Sequence, residues 1–345
     1  MKSIHKILLI ILILAFLIGG FFLTFFYNQV YGVNVEQNDK GYHHLYISSK
    51  DDYQTVLRKL SSNGILNDES SFDRVARKMN YPNKIFPGKY KILNGMNNRS
   101  LINLLRSAQS EEVKVVVNAT RNYQKIASEV GKKLEADSTV LIQLLEDEKF
   151  LAELGFTKES LPALFTTDTY NFPWGTTSKG FLQRMKKEHD GFWTDARKAK
   201  AKSKNMTPNE VVTLASIVEE ETYHNEEMPK VAEVYLNRLE KGWLLQADPT
   251  VKYAVGNFEL KRVLDKHLAY DSPYNTYMYE GLPPGPICVP SKQAIDAVLH
   301  PDSHDFFYFC AKDDFSMFHA FATNLSEHMV NARRYQRALN RKKIF

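Results

Sequence analysis

Two cysteines in 345 residues, Cys288 and Cys310, are too few for a disulfide framework or a cysteine-rich metal site. They are compatible with an oxidising compartment, where they could pair or simply be buried. Charge of one sign is equally scarce. The 45 Lys and Arg stand among 40 Asp and Glu, giving a formal net charge of +5, a balance that argues against a nucleic-acid partner. There is no internal repeat, no low-complexity tract, no Gly-rich phosphate loop and no nucleophile elbow. His300 and His304 fall in HPDSH, but Pro301 separates them and no convincing third ligand is in sequence reach, so neither a metal nor a cofactor is expected.

What the sequence does have is enough apolar content, 43% against 25% charged, to bury a sizeable core, and enough length for two modules. Lys2, His5 and Lys6 precede an almost unbroken apolar run, Ile7 to Phe26, of the length a bilayer span needs. The run is long for a signal peptide, and no small-x-small cleavage site follows in TFFYNQVYG, so a retained anchor is expected. Positive charge before the span places residues 1–6 in the cytoplasm, the span at 7–27, and everything after about residue 28 outside, in the periplasm or its equivalent.

After the span, a strand at HHLYIS, a helix at YQTVLRKLSSNGIL stopped by Gly64, a helix at SSFDRVARKMN, a strand at GKYKIL and a helix at SLINLLRSAQ capped by Ser100 describe a small α+β module. It would occupy residues 28–110. A Val-rich strand at EEVKVVVN then opens a larger α+β domain, 111–345, with further helices including one at STVLIQLLEDEKFLAEL. TDTYNFPWGTTS reads as an ordered loop, and RKAKAKSK as a solvated basic helix or linker.

The most informative stretch is TPNEVVTLASIVEEET. Thr207 and Glu210 form a capping box with Pro208 at the first helical position, and the residues that follow are apolar almost all round, which makes the helix a buried one. Glu219, Glu220 and Glu221 end it, about 100° apart, so they cannot act as one cluster. A helical side chain lies over the preceding turn. Glu221 overlies bulky Ile217 and Val218 and reads as a hydrogen-bonded structural group; Glu220 points to solvent. Glu219 overlies Ala215 and Ser216, the smallest pair, leaving room for a ligand beside a carboxyl whose pKa an apolar surround would raise. Glu219 is therefore the catalytic candidate, against the alternative of a capping or salt-bridging role.

The segments ASIVEEET, LQADPTVKYAVG, YNTY, GLPPGPI and the H...TN...H pattern of His319, Thr323, Asn324 and His328 together resemble the endolytic murein transglycosylase family, also called YceG-like. The resemblance covers nearly the whole chain, although TDTYNFPWGTTS keeps only the Thr-Tyr core of the corresponding family motif. It implies a membrane-anchored lyase that cuts the β-1,4 bond between N-acetylmuramic acid and N-acetylglucosamine within nascent glycan strands. The products would carry 1,6-anhydro ends, terminating strand elongation. The first acid of the motif, Glu219, would be the single general acid and base. Module 28–110 would be LysM-like, the type of fold that binds glycan. The partners would be peptidoglycan strands, the membrane and peptidoglycan synthases.

Gln246, Asp248, Thr250, Asn275, Tyr277 and Asn324 are the candidate sugar-binding residues, most of them in Pro- and Gly-bounded loops. Each has a plainer alternative: Asp248 before Pro249 as a turn former, the tyrosines as core aromatics, His319 and His328 as buried satisfied histidines. Two other functions stay open: a two-carboxylate muramidase using Glu219 and Asp248, and a non-catalytic glycan-binding anchor.

Overall fold

The computed structural model describes residues 2–107, 109–258, 260 and 262–342. Mixed helices and strands divide into two compact units. The first comprises the chain up to Lys114 with Lys133–Glu135 and Asn171–Thr177, and the second comprises the remainder.

In the first unit the apolar run forms α1 (Lys2–Tyr31), among the described residues the one helix long and apolar enough to cross a membrane; none of its apolar window is packed inside the protein. Strand β1 (Tyr42–Ile47), helices α2 (Tyr53–Ser62) and α3 (Glu69–Lys78), strand β2 (Gly88–Leu93) and helix α4 (Asn98–Arg106) follow. β1 and β2 pair antiparallel, Tyr42 opposite Leu93 and Ile47 opposite Gly88. Their alternation puts Leu45, Ile47, Tyr90 and Ile92 into a core with Val56, Leu60, Phe72 and Leu101. α2 is followed by Gly64 in the left-handed region, φ +63°, which a Cβ would make costly. α4 is capped by Asn97 and not by Ser100: the Asn97 carboxamide accepts the Ser100 N–H at 2.8 Å, so the helix begins two residues before Ser100.

Strands β3 (Glu112–Val117) and β4 (Asp168–Pro173) straddle the division between the units. Between them lie α5 (Tyr123–Lys133), α6 (Ser138–Glu146) and α7 (Glu148–Leu154). The last two were expected as one helix. Asp147 breaks it, because its carboxylate caps the N–H groups of Lys149 and Phe150. Likewise the expected loop at TDTYNFPWGTTS contains β4, whose Tyr170 and Phe172 are buried on one face. RKAKAKSK lies within and just beyond helix α9 (Asp195–Ser203), which follows α8 (Ser178–Phe192) and is capped by Thr194.

Helix α10 (Pro208–Glu221) has the expected capping box, with Glu210 Oε2 accepting the Thr207 N–H at 2.7 Å. Every residue from Val211 to Val218 is buried. Its large aliphatic side chains contribute on the order of 10 kcal/mol at about 2 kcal/mol each. Around it pack α11 (Met228–Glu240), α12 (Asp248–Val255) and α14 (Lys292–Leu299). Helix α13 (Asp265–Leu268), the antiparallel pair β5 (Tyr308–Ala311) and β6 (His319–Ala322), and α15 (Leu325–Arg341) complete the second unit.

Candidate active site

Because α10 is enclosed, only its last turn can present polar groups, and the three glutamates there meet three different surroundings. Ala215 and Ser216 do leave space beside the helix, but the chain itself fills it. The Ser216 hydroxyl accepts the Ile287 N–H at 2.9 Å, and the Cys288 thiol approaches the Ser216 carbonyl at 3.5 Å. That segment runs on to Ser291, which donates to Glu219 Oε2 through its N–H (3.1 Å) and its hydroxyl (2.5 Å) while capping α14. Glu219 therefore anchors the start of α14.

Glu220 does not point freely into solvent. Its side chain is only 15% exposed and it forms a two-pronged pair with Arg121, Nε to Oε1 at 2.7 Å and Nη2 to Oε2. A cavity of about 350 Å³ touches Glu219, Glu220 and Arg121.

Glu221 is half-buried and accepts the hydroxyl of fully enclosed Tyr235 on α11, Oη to Oε1 at 2.7 Å. Burial pushes its carboxyl up to about 7, and the negative Asp248 adds to the rise. The Tyr235 hydrogen bond, His319 and Lys252 oppose it. At neutral pH this carboxyl is poised between acid and base. The rise at Glu221 comes from neighbours on α11 and α12, distant in sequence.

Directly after Glu221 the backbone leaves the helix at Thr222, whose hydroxyl donates to Glu227 Oε2 at 3.1 Å. Glu227 also accepts His319 Nδ1 at 2.7 Å and the His319 N–H at 2.8 Å. Burial raises the Glu227 pKa, but the bonds from His319 outweigh it and hold the carboxyl below its ordinary value. His319 is accordingly a bonded histidine tying β6 to the end of α10. His328 stacks on Tyr308 at 5.4 Å between ring centres, and burial lowers its pKa.

The expected sugar-binding residues separate into two sets. Asp248 is on the first turn of α12, not in a loop, and its exposed carboxylate accepts the Tyr277 hydroxyl at 2.7 Å. Gln246, just before it, is exposed and held in the left-handed region at φ 51° while its N–H donates to the Thr276 carbonyl at 3.0 Å. Such a conformation is uncommon away from glycine and recurs at functional sites. Asp248 and Tyr277 lie near enough to Glu221 to interact with its charge. Asn275 and Thr250, by contrast, are both 0% exposed and cannot touch a sugar as folded. Asn275 donates to the carbonyls of Leu268 and Tyr270, both at 2.8 Å, and accepts the Tyr277 N–H at 3.0 Å. The Thr250 hydroxyl bonds Ala247 O and Thr276 Oγ1, which fixes the turn carrying Gln246 and Asp248. Asn324 caps α15, accepting the Glu327 N–H at 3.0 Å, and none of its bonds leads to α10. Cys288 and Cys310 are both free, Cys288 being buried. Arg121, Tyr235, Glu227 and Ser291 went unmarked in the sequence, where no motif or spacing links them to α10.

The chain matches the YceG-like family over residues 45–334. The endolytic murein transglycosylase of Bacillus subtilis (strain 168) is 30% identical to it over 345 residues, covering 94% of this chain and 93% of the other. That of Streptococcus pneumoniae serotype 2 (strain D39) is 28% identical over 307 residues; the match spans 80% of this chain but only 55% of the longer pneumococcal protein. A crystal structure of a yceG-like protein from Listeria monocytogenes superposes with a TM-score of 0.54 at 25% identity, covering 85% of this chain and 99% of that one.

Proposed function

The chain belongs to the YceG-like family, and we propose that it is an endolytic murein transglycosylase whose general acid and base is Glu221. What supports the assignment is the surround of this carboxyl, which accepts the hydroxyl of buried Tyr235 and lies near Asp248 and Tyr277, with burial pushing it up to about 7. Glu219 spends one oxygen on two donors from Ser291, a structural duty that accounts for it.

In the forward step the Glu221 proton passes to the oxygen joining N-acetylmuramic acid to N-acetylglucosamine, and the C1–O bond breaks. Positive charge spreads over C1 and the ring oxygen. The Glu221 carboxylate then takes the proton of the C6 hydroxyl as O6 bonds to C1, which closes the 1,6-anhydro ring and returns Glu221 to its acid form. No water is consumed, and one carboxyl suffices. Asp248, Tyr277 and Gln246 are proposed to contact the sugar. Thr250 and Asn275 act as positioning residues that hold the two loops together.

A second reading keeps Glu219 as the acid, favoured by the cavity of about 350 Å³ that it lines. Purified protein and isolated glycan strands decide between them. Glu221→Gln should abolish internal cuts while Glu219→Gln retains them; the reverse result returns the role to Glu219. Products should end in 1,6-anhydro-muramic acid without oxygen from labelled water. Labelled ends would instead establish a muramidase with Asp248 as second carboxylate.

The remaining parts of the proposal concern placement. With Lys2, His5 and Lys6 on the cytoplasmic side, α1 would cross the membrane once and leave residues beyond about 28 outside. A reporter fused after Phe345 that is active in the cytoplasm would overturn this. The strand–helix–helix–strand order of the first unit supports a LysM-like, glycan-binding module. Isolated strands pulled down by that module would test it. Cutting nascent strands beside a peptidoglycan synthase would terminate their elongation, and longer strands in cells carrying Glu221→Gln would be the sign.

A further inference from the structure

Where α1 leaves the apolar run it meets α3 and α4 of its own unit and encloses a cavity of about 690 Å³. One wall is apolar: Phe26 and Val30 of α1 face Val75 and Met79 of α3. The rim is basic, with Arg74, Lys78 and Arg99, and no carboxylate is among the residues lining it. No salt bridge is formed by Arg74, Lys78 or Arg99 among the described residues, although Asp73 lies near enough to Arg74 to feel its charge. Arg74 donates to the neutral Gln29 carboxamide at 2.8 Å, Arg99 donates to the Tyr31 hydroxyl and lies over its ring at 5.5 Å, and Lys78 has no partner among the described residues. Arg77 is the exception. It pairs with Asp73, which also accepts the Tyr53 hydroxyl.

Depth fixes the kind of ligand. This inference rests on the proposed membrane crossing by α1: Phe26 ends the apolar run, which puts the cavity where the hydrocarbon would end, with Tyr27 and Tyr31 at the height of an interfacial aromatic belt. An apolar wall continuous with the acyl region and a ring of cations at headgroup height together match an amphiphile with a negative head. We infer that this cavity binds one acidic phospholipid, its acyl chain along Phe26, Val30, Val75 and Met79 and its phosphate among Arg74, Lys78 and Arg99. The bound lipid would fix α1 against the module that follows it. Both heads carry the phosphate, so the preference over a zwitterionic phosphatidylcholine comes from the choline cation that neutralises one of them; three basic groups at about fivefold each set its upper limit at roughly 100-fold.

Full-length protein in mild detergent, mixed with equal amounts of phosphatidylglycerol and phosphatidylcholine and examined by native mass spectrometry, should retain one phosphatidylglycerol with that preference. The triple variant Arg74→Gln, Lys78→Gln, Arg99→Gln should lose it, whereas Arg74→Lys with Arg99→Lys should keep it. sn-Glycerol 3-phosphate alone should bind far more weakly than the intact lipid. Equal retention of the two lipids, undiminished preference in the triple variant, or glycerol phosphate binding as tightly as phosphatidylglycerol would each overturn the inference. If the triple variant does not fold, Lys78→Gln alone, at an exposed side chain, should still reduce the preference about fivefold, and no reduction would count against it.

Discussion

Replacing Glu221 by glutamine should destroy activity and strengthen the fold, and the size of the second effect follows from the cost of burying its charge. The carboxyl titrates at about 7 in the folded chain against 4.5 for an unperturbed glutamate. The folded state therefore binds this proton more tightly than the unfolded state, so stability falls as pH rises from about 4.5 through about 7 and stays lower above it. A rise of this size corresponds to about 3 kcal/mol. Glutamine can still accept the Tyr235 hydroxyl but carries no charge to desolvate. Wild type and Glu221→Gln should be nearly equally stable at about pH 4, and the variant more stable by up to about 3 kcal/mol at about pH 9, which is roughly 6–12 °C in Tm for a unit of this size. Calorimetry of the full-length proteins at the two pH values measures it. Cleavage by wild type should meanwhile fall about tenfold per pH unit above 7, as the acid form is lost. A stability gap that does not change between the two pH values would refute the reasoning, whatever the variant does to catalysis.

Tyr235→Phe removes the hydrogen bond that favours the ionised Glu221, so the alkaline limb of the pH–rate profile should move up by about one unit; a downward shift would contradict the geometry. Glu220→Gln should cost about 1 kcal/mol through its pair with Arg121, read as a coupling energy in a double-mutant cycle with Arg121→Gln, and zero coupling would make the pair incidental. Asn275→Ala, which loses three buried hydrogen bonds, should lower stability by about 3 kcal/mol; unchanged stability with a raised KM would restore it as a sugar contact.

Local chemistry was readable where neighbours in sequence are neighbours in space. Thr207 and Glu210 announce the start of α10 because a capping box closes within four residues, and the alternation in GKYKIL gives β2. Spacing alone could not rank the glutamates, for the opposite reason, although the hydrogen-bonded reading of Glu221 agrees with its bond to Tyr235. Spacing on a helix tells which side chains of that helix lie beneath an acid, but Glu221 is enclosed by Tyr235, fourteen residues on, and influenced by Asp248 on another helix. The room over Ser216 was real, yet nothing in the sequence says that Ile287 and Cys288 return to occupy it. Asn275 and Thr250 look like binding residues because their type suits a sugar; only the closed loops around them show that their hydrogen bonds are already spent.

The ties that hold the end of α10 also set a timetable for the newly made chain. Arg121 meets Glu220 across 99 residues, Ser291 meets Glu219 across 72, and His319 reaches Glu227 across 92. Contacts so far apart form late, since the intervening chain must first be made and its loops closed. The last of them needs β6, which is made long after α10 and Glu227. Until β6 arrives, Glu227 lacks its histidine and the turn after Glu221 has no clamp. On the function proposed above, a chain ending before His319 should cleave nothing; full activity in that truncation would show that the clamp is dispensable.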